Sequence, residues 1–321
     1  MNPPAATRIV RGAKPGRPAL IAGRDIALIG SLAAALGCAV LLPQRLWARA
    51  AAWIAARRPA AALTHGERAA AHKFELRIQN WGAILGRWRP RIAVDGAPHV
   101  EAALAAHGGA VLWVVHAAFN SNVLKRAARR RGWPLHHLSR PEHGFSTTRF
   151  GKRVLNPLRR RAEDRDLAAR IVIAGHDARA AVRQALGVLR ARRGLVSITA
   201  GPWEGSKFYR VPFDEARDML LPSGAPHLAA SAGVPLLPAI VRRDGGDQDF
   251  TVVFGAPIGI AAGGDRDAAF AAAAAAFAAI TAGFAAAHPD QWRGWSRLVA
   301  RGTDGLAMTT RGQPPSPRNP A

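Results

Sequence analysis

Short apolar runs alternate with helix-like segments over most of the chain. The runs predict buried strands at residues 110–115, 169–174, 195–199, 236–241 and 250–254, the last of these closing the series, with a further strand candidate at 135–138. Between them, the pattern predicts helices at residues 120–131, 146–161, 177–193 (ended by Gly194) and 223–232. Alternating strands and helices predict an α/β domain with one main sheet covered by helices.

Two amphipathic patterns bracket this series of strands. The first is a helix marked by apolar residues at three- or four-residue intervals, namely Phe74, Ile78, Trp81 and Leu85. The second is the nearly poly-alanine stretch 265–288, whose apolar stripe includes Phe270, Phe277 and Phe284. We expect Asp265 to cap this long helix, Pro289 to stop it, and its stripe to pack on the domain.

The N-terminal part has a different pattern. Residues 26–42 contain no charged residue, and a membrane-spanning helix needs about 20 apolar residues, with roughly 17 as the lower limit. Residues 46–58 alternate Trp, Leu and Ile with Arg, as an interfacial helix does. We therefore expect a membrane-associated N-terminus with its basic flanks on the cytoplasmic side. A buried core helix is the alternative interpretation. A signal peptide is less favoured, because the segment has no clear cleavage site.

These patterns divide the chain into four parts. Residues 1–24 are predicted to be a loose basic arm, 25–70 a membrane-associated helical segment, 71–300 the α/β domain and 301–321 a disordered tail.

Composition adds a strong positive charge. The 321 residues carry a formal charge of +24, and all but five of the 45 basic residues are arginine. A strongly positive surface suits nucleic acid, anionic lipid or an acidic carrier protein. Nucleic acid is the least favoured, because the basic residues are spread along the chain and not clustered with aromatics. The single cysteine, Cys38, excludes an internal disulfide framework and any multi-cysteine metal site.

Common catalytic motifs are absent from the sequence. It contains no G-x-S-x-G nucleophile elbow, and GPWEGSK at 201–207 has the wrong order for a phosphate-binding P-loop. The histidine-rich string HHLSRPEH at 136–143 lacks the H-E-x-x-H spacing of zinc enzymes. We therefore predict no metal and no redox cofactor. His116 stands out because it follows the apolar run at 110–115, and open α/β sheets bind ligands at the carboxyl ends of their strands.

Five strings occur in an order that resembles one known family. They are VVHAAFNSNVL around His116, LHHLSRPEH with Arg140 and Pro141, WEGSK at 203–207, the block 211–241 that opens with VPF, and HPDQWRGWSRL at 288–298. The chain resembles the bacterial lipid A lauroyl/myristoyl acyltransferases of the lysophospholipid acyltransferase superfamily. The likeness covers about residues 25–298.

The resemblance implies a fold and an activity. The fold is a mixed central sheet flanked by helices, like that of the glycerolipid acyltransferases, with an N-terminal membrane-associated helix. The activity is transfer of a fatty acyl chain from acyl carrier protein or acyl-CoA to a hydroxyl of a lipid or glycolipid, as in lipid A acylation. The expected place is the cytoplasmic face of the bacterial inner membrane, with no cofactor and no nucleic-acid partner.

The resemblance also implies roles for particular residues. His116 is expected to act as the base that takes the proton of the acceptor hydroxyl. Phosphate or substrate contacts are expected from Arg140, Gly205, Lys207 and Arg210. The basic run at 126–131 is an exposed helix face or a docking site for an acidic acyl carrier protein.

One departure from the family pattern concerns the acid that orients the histidine. The pattern is H-x-x-x-x-[D/E], whereas this chain has Ser121 and Asn122 there. An asparagine carbonyl can hold a histidine in one tautomer, so Asn122 or Asn120 is the candidate. Glu204 or Glu142 is a more distant carboxylate substitute. The alternative is a non-catalytic lipid-binding member of the same fold.

Overall fold

The computed structural model describes Gly30, Leu76 and residues 79–140, 148–173, 178–200, 208–245, 248–295 and 298–301. The predicted arm at 1–24 and membrane-associated segment at 25–70 lie outside these residues, except for the helical Gly30. Only Arg301 of the predicted tail is described.

The described part of the chain contains two sheets and a series of helices. The strands are β1 (Arg91–Asp95), β2 (Gly109–Val114), β3 (Leu135–Ser139), β4 (Ala169–Val172), β5 (Gly194–Thr199), β6 (Phe208–Pro212), β7 (Arg217–Pro222), β8 (Leu236–Arg243), β9 (Asp249–Phe254) and β10 (Leu298–Ala300). The helices are α1 (Ala97–His107), α2 (Asn120–Arg130), α3 (Asn156–Asp164, preceded by a π-helical turn at Gly151–Leu155), α4 (Arg179–Arg190), α5 (Gly224–Ala232) and α6 (Arg266–Ala287).

The main sheet is mixed, as predicted. Its seven strands lie in the order β1-β9-β8-β2-β5-β3-β4. Five neighbouring strands, from β8 to β4, run parallel, whereas β9 pairs antiparallel with β8 and β1 pairs parallel with β9. A second, antiparallel sheet has the order β10-β7-β6. The chain therefore has the α/β class that the alternating pattern indicates.

The position of β2 in the middle of the sheet explains why its sequence is apolar throughout. All of its residues are buried, because helices cover both faces of the sheet. Trp113 points to the side of α6 and stacks on Phe277, with ring centroids 4.1 Å apart. Leu112 and Val114 point to the opposite side, where α1 and α2 pack. The two cores are thus separated by the sheet itself.

The long alanine-rich helix α6 packs on the domain, which confirms the prediction from its phenylalanine stripe. Phe270, Phe277 and Phe284 are buried, and the Asp265 carboxylate accepts hydrogen bonds from two backbone N–H groups of the first turn. By length and composition α6 is also the one described helix that passes as a membrane span. The burial of its stripe accounts for that apolar composition.

The structure corrects two predicted boundaries. The helix predicted at 177–193 ends at Arg190 in its described part, and Gly194 does not end it but opens strand β5. Gly194 has a φ of 113°, and a Cβ there would lie 2.4 Å from the Pro134 carbonyl oxygen, so only glycine fits. The strand at 250–254 is not the last, because β10 follows it.

Besides β10, four elements were missed by the sequence pattern. They are the strands β1, β6 and β7 and the helix α1. Strand β1 is at the sheet edge and is never fully buried, while β6 and β7 form the small sheet with mixed burial. None has a continuous apolar run, so periodicity gave no signal. Of the predicted helix at 74–85, Leu76 and residues 79–84 are helical and Trp81 is fully buried.

A buried ion cluster joins α2, α3 and β4. The Glu163 carboxylate contacts Lys125 and accepts hydrogen bonds from Arg159 (2.9 Å) and Arg170 (3.0 Å). Lys125 and Glu163 are each 2% exposed, so one buried carboxylate is shared by three cations. Burial lowers the pKa of Lys125 to about 8, and the neighbouring Glu163 carboxylate offsets only part of that lowering.

The lowered pKa of Lys125 predicts how stability varies with alkaline pH. The unfolded chain holds the lysine proton more tightly than the folded chain between pH about 8 and the ordinary value of 10.5. Stability therefore rises with pH through that window. Thermal melts of the wild type should show this rise, and Lys125→Met should lose it. The exposed Lys152→Met is the matched control and should keep the rise; equal slopes in all three proteins would contradict the prediction.

Candidate active site

His116 lies at the carboxyl edge of the main sheet, two residues after Val114, which ends β2. The Val115 N–H still donates to the Ala239 carbonyl of β8 (2.9 Å), and Val115 is fully buried. His116 itself is half-buried, and its Nδ1 atom is shielded from solvent. The strand therefore delivers the imidazole to the edge where parallel sheets bind ligands, as the sequence predicted.

The C-terminal segment pairs with the backbone around His116. The Arg293 N–H donates to the His116 carbonyl (3.0 Å), and the Ala118 N–H donates to the Gln291 carbonyl (2.8 Å). Between these two bonds, Ala117 and Trp292 form an antiparallel bridge. Two of the strings that carried the resemblance, VVHAAFNSNVL and HPDQWRGWSRL, are thus hydrogen-bonded to each other. We call Gln291–Trp292–Arg293 the C-terminal clamp.

Aromatic packing joins a third string to the clamp. Trp292 is fully buried and stacks on Phe213 of the VPF block, with centroids 4.8 Å apart and an interplanar angle of 9°. Trp295 meets the Trp292 ring edge-on at 4.7 Å. A Cβ on Gly294 would lie 2.3 Å from the Trp292 ring, so a side chain there would push the clamp away. The buried indole of Trp292 therefore holds the clamp at this edge of the sheet.

Gln291 ties the clamp to the end of strand β8. Its Oε1 accepts from the Arg243 N–H (2.7 Å), and its Nε2 donates to the Arg243 carbonyl (3.1 Å). The side chain is 6% exposed and takes the place of a backbone partner for β8. Sequence reasoning missed this role, because the glutamine and the strand it completes are far apart in the chain.

The first turn of α2 holds the two candidate asparagines. Asn120 is the first residue of α2. The Asn122 Nδ2 donates to the Oδ1 of the buried Asn80 (2.7 Å), a partner that the sequence gave no reason to expect. This bond uses one amide N–H of Asn122, so its carbonyl oxygen and second N–H are the groups left for other contacts.

The other predicted site residues fall in different places. Glu142, Glu204, Gly205 and Lys207 lie outside the described residues. Arg140 follows β3 at the same edge as His116 and is exposed. Arg210 lies in the small sheet, where it donates to Asp218 (2.8 Å) and to the Ala300 carbonyl (2.8 Å).

The structure adds two arginines in segments that adjoin the His116 segment. Arg293 belongs to the clamp, and Arg243 ends the strand that Gln291 completes. The Arg243 guanidinium lies over the ring of Phe119, 5.1 Å from its centroid. Phe119 immediately precedes α2, so this cation stands against the loop that follows His116.

The arginines at 126–131 are not a freely solvated face. Arg126 donates to the Trp88 carbonyl (2.7 Å), and Arg130 donates to the Pro90 carbonyl (3.1 Å). Arg129 contacts the Arg165 carbonyl, and Arg131 forms an ion pair with Glu101 at 3.7 Å. These contacts tie α2 to its neighbours, while Arg129, Arg130 and Arg131 remain exposed, as predicted for this run.

The histidine-rich string at 136–143 starts inside the fold. The Nδ1 atom of His137 lies 2.9 Å from the Ser197 hydroxyl, and both residues are buried. Burial lowers the pKa of His136, whose Nε2 lies 3.3 Å from the Arg193 carbonyl oxygen. Within residues 79–140 and the other described ranges, no group of three or more His, Cys, Asp or Glu is placed to hold a metal ion.

Comparison with known proteins gives a structural likeness. No family model matches the chain, and no curated protein matches it in sequence. Among solved structures, the chain is similar to the 1-acyl-sn-glycerophosphate (LPA) acyltransferase, PlsC, from Thermotoga maritima. The identity is 12% and the TM-score 0.32, with 73% of this chain and 86% of that chain covered.

The Gln291 side chain provides a test of the clamp. Gln291→Leu leaves the Arg243 N–H and carbonyl without the side chain that pairs them. We expect the free energy of unfolding to fall by about 1–3 kcal/mol. The exposed Gln184→Leu on α4 is the matched control and should change it by less than about 0.5 kcal/mol. Denaturant titration of both variants measures the difference, and equal losses would show that the clamp does not depend on Gln291.

Proposed function

We propose that the chain is an acyltransferase that moves a fatty acyl chain from a thioester to a hydroxyl of a lipid or glycolipid. The observation that carries the proposal is the pairing of the His116 segment with the C-terminal clamp, at the carboxyl edge of the sheet. Three of the strings on which the family resemblance rests meet there, which is what a shared active site requires.

The proposed chemistry uses His116 as a general base. The acceptor hydroxyl gives its proton to Nε2 while its oxygen attacks the thioester carbonyl carbon. The tetrahedral intermediate then collapses: the carbon–sulfur bond breaks, the ester remains on the acceptor, and the thiolate takes the proton from the imidazolium. The oxyanion needs N–H or cationic donors during this step. No metal or redox cofactor enters this scheme.

An orienting partner for His116 is the second part of the proposal. In the family pattern a carboxylate fills this role, and this chain has Ser121 and Asn122 there. We propose that the Asn122 carbonyl accepts the Nδ1 proton of His116 and that Asn80 fixes the amide by accepting from its Nδ2. Asn120, Glu204 and Glu142 are the alternatives.

Cations at the sheet edge are proposed to hold a phosphorylated acceptor or carrier arm. Arg243 and Arg293 are next to the His116 segment, and Arg140 follows β3 at the same edge. Lys207, with Gly205, is proposed for the same group. Arg210 has an acid and a carbonyl as partners in the small sheet, so a structural role is the simpler proposal for it.

More specific proposals, about the reaction, its location and the parts of the chain, follow from the resemblance to the lipid A acyltransferases. The reaction is proposed to be lipid A-type acylation at the cytoplasmic face of a bacterial inner membrane, with acyl carrier protein or acyl-CoA as donor. The segment 25–70 is proposed to hold the chain at the bilayer, and 71–300 to be the acyltransferase domain.

Removal of His116 tests the activity. Wild type and His116→Ala are compared for thiol release from acyl carrier protein and acyl-CoA thioesters over a bacterial lipid extract, with mass spectrometry of the lipids. We expect transfer in the wild type and a loss of about 100- to 10,000-fold in the variant. The buried His137→Gln is the matched control and should keep the activity.

Two outcomes would overturn this assignment. Full transfer by His116→Ala would remove the histidine from the mechanism. Absence of transfer in both proteins, with lipid still bound, would favour the second candidate function, a non-catalytic lipid-binding member. The local motif itself supplies the observation for that candidate, because it lacks a carboxylate.

Substitution of Asn122 tests the orienting role. In Asn122→Asp a carboxylate replaces the carbonyl, stabilises the imidazolium and raises the pKa of His116. We expect a higher kcat, and an acidic limb of the pH–rate profile that moves to higher pH. Asn122→Leu should lower kcat with little change in KM. A pH profile that both variants leave unchanged would exclude Asn122 and turn attention to Asn120 or Glu204.

A further inference from the structure

The helical segment from Arg149 to Arg161 carries cations that have no partner among the described residues. The side chains of Arg149, Lys152, Arg153, Arg160 and Arg161 make no hydrogen bond or ion pair with the part of the chain that the structure describes. All except the half-buried Arg160 are exposed. We call the segment 149–164, which contains the π-helical turn and α3, the basic helix.

The basic helix carries no acid that offsets these charges. Glu163 is buried against Lys125, Arg159 and Arg170, and Asp164 is paired with Arg170 at 2.7 Å. The face is therefore positive only, in contrast to the arginines of α2, each of which has a partner within the fold.

Large apolar side chains are exposed in the same region. Among the described residues, those that qualify are Val154 (43% exposed), Leu158 (38%), Val172 (38%) and Val182 (42%). Val154 and Leu158 are on the basic helix. Val172 ends the edge strand β4 and lies on the same sheet face as Arg170, which contacts Glu163 of the basic helix. Val182 is in the first turns of α4, which covers the other face of the sheet, and it is therefore not part of this surface.

The chain direction places most of these residues at the His116 edge. The basic helix precedes β4, which begins at the amino edge of the parallel strands, so the start of that helix lies at the carboxyl edge. Lys152, Arg153 and Val154 belong to that start. Val172 is at the carboxyl end of β4, and α4 begins soon after it. Cations and exposed apolar groups thus flank the edge that also carries His116.

We propose that this face docks on a bilayer that contains anionic lipid. Exposed Val and Leu among cations on one helix are what an interfacial helix needs, because the cations meet headgroup phosphates while the apolar groups enter the headgroup–acyl boundary. An acidic protein would satisfy the cations but would leave the exposed valines and leucine without this partner. The proposal rests on the proposed function in one respect: a lipid acceptor reaches His116 from the bilayer.

Site-specific labelling tests the docking face in the full chain. Cys38→Ser removes the single cysteine, and Val154→Cys or Leu158→Cys then carries an environment-sensitive fluorophore. With phosphatidylglycerol–phosphatidylcholine vesicles we expect a blue shift and quenching by brominated lipid. Ala102→Cys, exposed on α1, which packs on β2 and β9, is the matched control and should show neither change. A label at 102 quenched as strongly as labels at 154 and 158, or no quenching at 154 and 158 in vesicle-bound protein, would overturn the proposal.

Charge removal tests the cations of the same face. The triple variant Lys152→Gln, Arg153→Gln, Arg161→Gln should lower the affinity for phosphatidylglycerol vesicles by about 10- to 100-fold, given the contribution of each cation near an anionic surface. The matched triple Arg190→Gln, Arg193→Gln, Arg266→Gln removes the same charge from exposed positions elsewhere and should bind as wild type does. Equal losses of vesicle affinity in the two triple variants would show that only net charge matters, and would overturn the proposal that this face docks.

Two further outcomes separate this proposal from others. His116→Ala should keep the quenching at position 154, because docking does not use the imidazole; failure of acyl transfer therefore bears on the chemistry alone. A blue shift at position 154 that an acidic acyl carrier protein produces and vesicles do not would overturn the bilayer as the occupant.

Discussion

The bridge between Ala117 and Trp292 is the interaction on which the site depends. A histidine placed after a strand has no fixed position unless the backbone beyond the strand is also paired. Here that backbone is held from the other side by the clamp, through the Arg293 N–H on the His116 carbonyl and the Gln291 carbonyl on the Ala118 N–H. The buried Trp292 then fixes the clamp to both the main core and the small sheet, through its stack on Phe213.

The same constraint explains the order of the chain. Helix α6 packs along the sheet and ends at Ala287, which returns the chain to the carboxyl edge just before the clamp. Its alanine content allows close packing on the sheet, while its phenylalanines fill the core beside Trp113. The helix that resembles a membrane span by composition is therefore the element that delivers the clamp to His116.

The sequence predicted the parts of the fold whose signal is local. The apolar run that ends before His116 was recognisable because a strand covered on both faces needs apolar residues at every position. Strands β1, β6 and β7 were missed because edge and small-sheet strands keep polar residues and give no such run. His116 itself was predicted from its place after the strand.

The partners of the site were beyond the reach of local patterns. Nothing in the string around Asn122 indicates Asn80, and nothing near Gln291 indicates Arg243, because both bonds join segments distant in the chain. The resemblance indicated that the string at 288–298 matters, but only the pairing with residues 116–118 gives a physical reason. That reason is structural support of the loop that carries the histidine.

Charge shows most clearly why composition alone is ambiguous. The formal charge of +24 counts the arginines of α2 and those of the basic helix alike, although the surroundings of the two sets differ. On α2 the guanidinium groups satisfy backbone carbonyls and acids, and this use stabilises the fold without needing a partner. On the basic helix the cations stand beside exposed Val154 and Leu158, so the unsatisfied charge and the unburied apolar surface coincide. Because a hydrated cation alone costs a fold little, the exposed apolar neighbours are what make a bilayer the fitting partner for this face.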